Sequence, residues 1–117
     1  MPAKKIVECY FLIPLNRDKV ISDGERHPPL VWQWLNDAVY TTFEGLTIAP
    51  GVYKGIWKSP KTGQAVRDST RKFIIALPPK DVEKLRSFLR QACRVFEQEC
   101  IYLNVGGYVE YVEPEDD

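Results

Sequence analysis

The stretch QAVRDSTRKFIIALPPKDVEKLRSFLRQACRVFEQEC, residues 64–100, changes its hydrophobic period halfway along. Gln64 to Leu77 reads as a strand, densest at Phe73-Ile74-Ile75-Ala76-Leu77. Pro78-Pro79 ends it, and Asp81 is a candidate helix cap. From there Val82, Leu85, Leu89, Ala92, Cys93, Phe96 and Cys100 form one apolar stripe, widened by Phe88 and Val95. Lys84, Arg86, Arg90 and Arg94 fall away from it, as the polar side of an amphipathic helix should.

Upstream, Ser59-Pro60-Lys61-Thr62-Gly63 is a turn, with proline early and glycine late. Leu46 to Ser59 reads as a loop entering a strand. Val52, Lys54, Ile56 and Lys58 share one face, and Tyr53, Gly55 and Trp57 the other. The two strands should form an antiparallel hairpin. Downstream, Ile101 to Glu113 reads as one further strand, with Ile101, Leu103, Val105, Val109 and Tyr111 on one face. Tyr102, Asn104, Tyr108 and Glu110 take the other. Gly106-Gly107 suggests a bulge within it. Residues 114–117 read as a frayed acidic tail to a single domain over residues 1–113.

At the other end, residues 5–15 alternate: Val7, Cys9, Phe11, Ile13 and Leu15 share one face, against Ile6, Glu8, Tyr10 and Leu12. Residues 16–29 are polar and turn-rich. Pro28-Pro29 opens a helix that runs to Glu44, with Gly45 as its stop. Trp32 lies on its apolar face, while Trp34 lies well off that face. The order is therefore β-α-β-β-α-β. It predicts an α+β ferredoxin-like fold: a four-stranded antiparallel sheet with both helices on one face. Right-handed crossovers place the first and third strands centrally and the second and fourth at the edges.

The composition bounds the rest. A chain of 117 residues is one domain, and 44% hydrophobic with 27% charged residues is an ordinary globular mixture. Sixteen basic and sixteen acidic side chains cancel, which argues against a generic nucleic-acid coat. Lys4-Lys5 before an apolar run superficially resembles a signal peptide. Glu8 interrupts that run and no small-residue cleavage site follows, so the reading is a cytoplasmic protein with no membrane segment. Cys9, Cys93 and Cys100 have no close pairing, so they read as buried thiols and no metal site is expected. Gly106-Gly107 and Gly51-x-x-x-Gly55 open no helix and lack a following Lys-Ser/Thr, so no cofactor is expected.

Residues 34–73 carry a resemblance. Phe43-Glu44-Gly45-Leu46-Thr47, then Gly55-Ile56-Trp57, Thr62-Gly63 and Asp68-Ser69-Thr70 follow a pattern similar to a family of small bacterial proteins of unknown function. The resemblance implies a ferredoxin-like fold and carries no activity with it.

The hairpin holds the main ligand-binding candidates: Tyr53, Trp57, Arg67, Asp68 and Arg71. Arginines offer planar donors and the aromatics a stacking wall, so a small anionic or aromatic ligand is expected. The plainer alternative is a solvated surface pair of charges beside a core tryptophan. His27 is the single histidine and the one catalytic candidate; before a double proline it is expected to be extended and exposed. Tyr10, Leu12, Tyr102 and Tyr108 should share the uncovered sheet face, an apolar patch that suits the interface of a homodimer.

Three functions follow. The first is a homodimeric interaction or small-ligand-binding module. The second is a small enzyme with a pocket near the hairpin. The third is an RNA-binding sheet, which Arg71 to Leu77 disfavours because it lacks the aromatic-and-glycine signature. The zero net charge conceals a partition. Residues 51–72 hold six bases and one acid, while residues 97–117 hold seven acids and no base. A second copy could match one edge to the other.

Overall fold

The computed structural model describes residues 5–115. Its elements are β1 (Val7–Pro14), α1 (Pro29–Phe43), β2 (Thr47–Ile48), β3 (Tyr53–Lys58), β4 (Ala65–Leu77), α2 (Val82–Val95), β5 (Ile101–Val105) and β6 (Tyr108–Val112). A single 3-10 turn, Pro79–Asp81, leads into α2.

The α+β class holds, but the four-stranded ferredoxin-like arrangement does not. The sheet has six antiparallel strands in the order β2-β4-β1-β5-β6, with β3 also paired to β4. Two local causes add the strands. Gly106 and Gly107 both have positive φ, 56° and 103°, the two-residue turn that folds a strand back on itself. Residues 101–113 are therefore a hairpin, β5–β6, and not one bulged strand. Upstream, Gly51 at φ 81° lies between β2 and β3, so 46–59 is broken rather than continuous.

β1 and β4 occupy the middle, in register from Val7 against Leu77 to Pro14 against Thr70. Proline ends β1 where it would otherwise lose a ladder donor. β3 pairs with the first half of β4, from Tyr53 against Thr70 to Lys58 against Ala65. This hairpin runs past the end of β1. Its turn approaches the stretch before β5, where Lys61 Nζ lies 3.2 Å from the largely buried Glu99 Oε1 without hydrogen-bond alignment.

Both helices contribute to one core. Cys9, Phe11, Ile13, Phe73 and Ile75 meet Leu35 and Val39 of α1 and Leu85, Leu89 and Ala92 of α2, all 2% exposed or less. Fully burying each of the valine, leucine, isoleucine and phenylalanine side chains among them stabilises the fold by about 1.5–3 kcal/mol. The two tryptophans divide the work of α1. Trp32 packs on the sheet through Phe73, and Trp34 stacks on Phe88 of α2 with ring centroids 5.6 Å apart. α1 ends at Glu44, which takes a left-handed conformation one residue before the expected glycine. α2 ends at Val95, so Cys100 lies beyond the helix. Arg86 does not point away as expected: it turns onto Glu110 of β6, at 2.6 and 3.1 Å.

Of the tail, Pro114 and Glu115 are described, and the Glu115 carbonyl accepts a hydrogen bond from Arg94. Asp116 and Asp117 lie outside the described residues. No helix among the described residues is long and apolar enough to cross a membrane.

Candidate functional site

Alternation along β4 divides the predicted ligand-binding set. Tyr53, Trp57 and Asp68 fall on the open face of the sheet; Arg67 and Arg71 fall on the helix side. Arg71 is occupied there, its guanidinium carbon 4.9 Å from the centre of the Trp32 ring. The five residues do not form one site, and the arginines are not available to bind an anion beside Trp57. Adjacent residues of a strand cannot share a face, so Arg67-Asp68 had to separate.

What remains is a compact group on the hairpin. Gly55 faces Asp68 across the β3–β4 pair. A Cβ at Gly55 would lie 2.8 Å from Asp68 Oδ1, so the absence of a side chain is what lets the carboxylate lie across the strand. Trp57 Nε1 donates to Asp68 Oδ2 at 3.2 Å. Trp57 is thus neither a core residue nor a free surface ring. Burial pushes the Asp68 carboxyl above its ordinary value, opposed by the hydrogen bond from Trp57. An open groove of about 390 Å³ runs along Ile56, Trp57, Lys58, Gly63 and Ala65.

The same face continues inward. Lys72 Nζ lies 4.1 Å above the Tyr10 ring and 5.6 Å from that of Tyr53. Tyr10 and Tyr102 stack with centroids 5.9 Å apart, and their hydroxyls are 3.4 Å apart. Asn104 Nδ2 donates to the Tyr10 hydroxyl at 3.4 Å. The hydrogen bond to Tyr102, then burial, raises the Tyr10 pKa.

Tyr10, Leu12 and Tyr102 therefore lie on the uncovered face as expected, each half-buried. Tyr108 does not. Because residues 106–107 reverse the chain, Tyr108 pairs with Val105 and takes the helix side, while Tyr111 pairs with Tyr102 on the open face. Lys72, Gly55, Asn104 and Tyr111 were not singled out from the sequence. A Gly-Gly pair flanked by alternating residues was the available signal for Tyr111, because a hairpin inverts the parity of everything after it.

His27 is buried, 7% exposed, and not an exposed loop residue. The polar segment before it is ordered by Arg17, which donates to both Asp23 oxygens at 2.7 and 2.8 Å. This turns the imidazole inward, edge-on to Phe96 at 4.9 Å and Trp32 at 5.4 Å. Its Nε2–H donates to the Pro14 carbonyl at 2.9 Å. Burial lowers its pKa. The ring fastens the loop to the end of β1 and touches none of the hairpin site.

A larger groove, about 480 Å³, lies between α2 and β6 and is lined by Arg86, Arg90 and Glu110 among others. Both of its arginines are engaged: Arg86 holds Glu110 and Glu83, and Arg90 holds Glu83, while Glu113 and Glu115 also line it. It offers a ligand less than the hairpin, whose carboxylate faces no cation. Cys93 and Cys100 are pushed up to about 12 and about 11 by burial, so both stay protonated near neutrality. Among the described residues no three His, Cys, Asp or Glu side chains come together to hold a metal ion.

No protein-family model matches the chain, and no curated protein matches it. Nothing found corresponds to the bacterial family that residues 34–73 resemble. Two solved structures are similar in fold. One is a phage SAM lyase in complex with S-methyl-5'-thioadenosine, at TM-score 0.70 and 15% identity, over 95% of this chain and 92% of that one. The other is a phage SAM lyase in its apo state, at TM-score 0.62 and 16% identity, over 95% of this chain and 91% of that one. At such identities the likeness is one of fold.

Proposed function

We propose that this chain binds S-adenosylmethionine on the open face of the β3–β4 hairpin and cleaves it as a lyase, releasing S-methyl-5'-thioadenosine. The observation that carries the reading is the half-buried Asp68 carboxylate, held by an indole N–H and facing a glycine, in a fold shared along 95% of the chain with a SAM lyase. The expected anionic ligand gives way to a cationic one, because the arginines lie on the other face and a carboxylate remains.

The chemistry of this ligand suits the residues. S-adenosylmethionine carries a sulfonium, an α-ammonium, a carboxylate and an adenine. Asp68 supplies the counter-charge to its cationic part. Trp57 and Tyr53 supply aromatic faces for the adenine and the sulfonium. Lys72, on the same face of β4, supplies a cation for the carboxylate. Release of S-methyl-5'-thioadenosine requires the bond from sulfur to the aminobutyrate carbon to break, both electrons passing to sulfur, while an oxygen of the substrate's own carboxylate bonds to that carbon and closes a lactone as the second product. The positive charge on sulfur disappears in that step.

Incubation of the protein with S-adenosylmethionine, followed by chromatography, tests the reading. S-methyl-5'-thioadenosine should form above the spontaneous rate. Asp68→Asn should lower kcat/KM by about tenfold or more, the loss of roughly one charge-assisted contact. Saturable binding without release would reduce the assignment to a ligand-binding module. The absence of both binding and release would overturn it.

A further inference from the structure

We propose that the helix side of the β3–β4 hairpin is a docking surface for an extended acidic segment of a partner protein, with acids at alternate positions. The inference does not depend on the ligand assigned to the open face. It rests on the way the hairpin register spaces its cations.

Arg67 and Arg71 of β4 share the helix side with Lys54 and Lys58 of β3, because Lys54 pairs with Ser69, Ile56 with Arg67 and Lys58 with Ala65. Measured along β4, Arg71 comes first, then Lys54 beside Ser69, then Arg67, then Lys58 beside Ala65. The two strands thus contribute by turns to one zigzag row. Successive charges are two strand residues apart, about 6.5–7 Å along the hairpin. All four side chains are exposed, and none forms a salt bridge among the described residues. Asp68, the one acid between Tyr53 and Leu77, lies on the other face. Long cations on diagonal positions repel one another, and the hairpin supplies nothing to offset them.

Spacing selects the partner. Side chains on one face of an extended peptide repeat every two residues, the same step as the cation row. A peptide laid along the hairpin with an acid at every second position therefore meets each cation in turn. Neighbouring side chains on one face of a helix recur every three or four residues, about 4.5–6 Å along its axis, and fall out of step. Ile56, 59% exposed and opposite Arg67, adds an apolar contact within the row. A nucleic acid fits less well. This side of the hairpin carries no aromatic ring on which a base could stack, and the chain has no net positive charge. Exposed cations contribute little singly, but as a set they steer an acidic partner and fix its register.

Fluorescence anisotropy with labelled peptides tests this. A peptide of four glutamates alternating with three valines should bind saturably, and more weakly as salt rises. A peptide of the same composition with its glutamates grouped together should bind severalfold more weakly. Lys58→Ala with Arg67→Ala should lower affinity for the alternating peptide about tenfold. Lys19→Ala with Lys80→Ala removes equal charge elsewhere and should leave it within about twofold. Circular dichroism and light scattering should show both variants with the fold and mass of the wild type. Equal affinity for the two peptides, or equal loss in the two variants, overturns the proposal. Tighter binding of an oligothymidylate of the same charge makes the surface a nucleic-acid site and overturns it too. A changed mass in the Lys58–Arg67 variant assigns the surface to contact between copies, with the same consequence.

Discussion

The two hairpins of this sheet are built from the same parts and live under different conditions. β5–β6 turns through Gly106-Gly107 beneath α2, whose Arg86 holds Glu110 and whose Cys93 thiol reaches the Val112 carbonyl at 3.2 Å. β3–β4 turns through Thr62-Gly63 beyond the end of β1, with no strand beyond β3 among the described residues. In the first hairpin a charged group finds its partner on a helix. In the second, Asp68 finds only an indole from its own neighbouring strand. The covered hairpin has its charged group paired to a helix, and the uncovered one leaves a carboxylate whose one hydrogen bond comes from an indole.

By that contrast, equal truncations should differ sharply between the hairpins. Leu103→Ala in β5, at a position with no exposure, should cost about 2–5 kcal/mol in denaturant unfolding. Ile56→Ala in β3, 59% exposed, should stay within about 0.5 kcal/mol. Similar losses at the two sites would erase the distinction. Next in size is the turn: Gly107→Ala, at φ 103°, should cost on the order of 1 kcal/mol through backbone strain alone, since its added Cβ meets nothing.

Gly55→Ala sharpens the comparison from the other side. The new Cβ would press on the far end of a movable side chain, so stability should fall by less than about 1 kcal/mol. Ligand response should fall far more, because Asp68 must rotate off the strand. A large unfolding loss with intact ligand response would assign Gly55 to the fold instead.

The smallest effects are those of pH. The Asp68 pKa is raised in the folded state, so its ionisation weakens folding at neutral pH and that penalty fades as pH falls toward 3.8. Asp68→Asn should therefore melt slightly higher than wild type at neutral pH, while binding the cationic ligand less well. His27 behaves oppositely. Its folded pKa lies below 6.5, so the stability held by the neutral ring is present above pH 6.5 and is lost as pH falls through that value toward the folded pKa. His27→Gln should flatten that loss in melting curves taken across the range.

Much of the fold was legible because it is written in local periods. The stripe from Val82 to Phe96 reports its own buried side, and Pro78-Pro79 marks the change from strand to helix without help from the rest of the chain. The hairpin between Tyr53 and Leu77 was equally local. The candidate site was legible in part. Tyr53, Trp57 and Asp68 share a face of the sheet as well as a segment, whereas Arg67 and Arg71 are near them in sequence alone, a proximity that a pleated strand undoes.

The sequence by itself determined an α+β domain, two helices with their apolar sides, the central place of residues 7–14 and 70–77, and a charge split between its middle and its end. Tertiary structure alone decided that residues 101–113 fold back, moving Tyr108 to the helix side and Tyr111 to the open one. It decided too that His27 turns inward and that Asp68 is left with an indole. A period records which side of an element avoids water. Which neighbour covers that side, and which edge is left without one, depends on contacts between residues far apart in the chain.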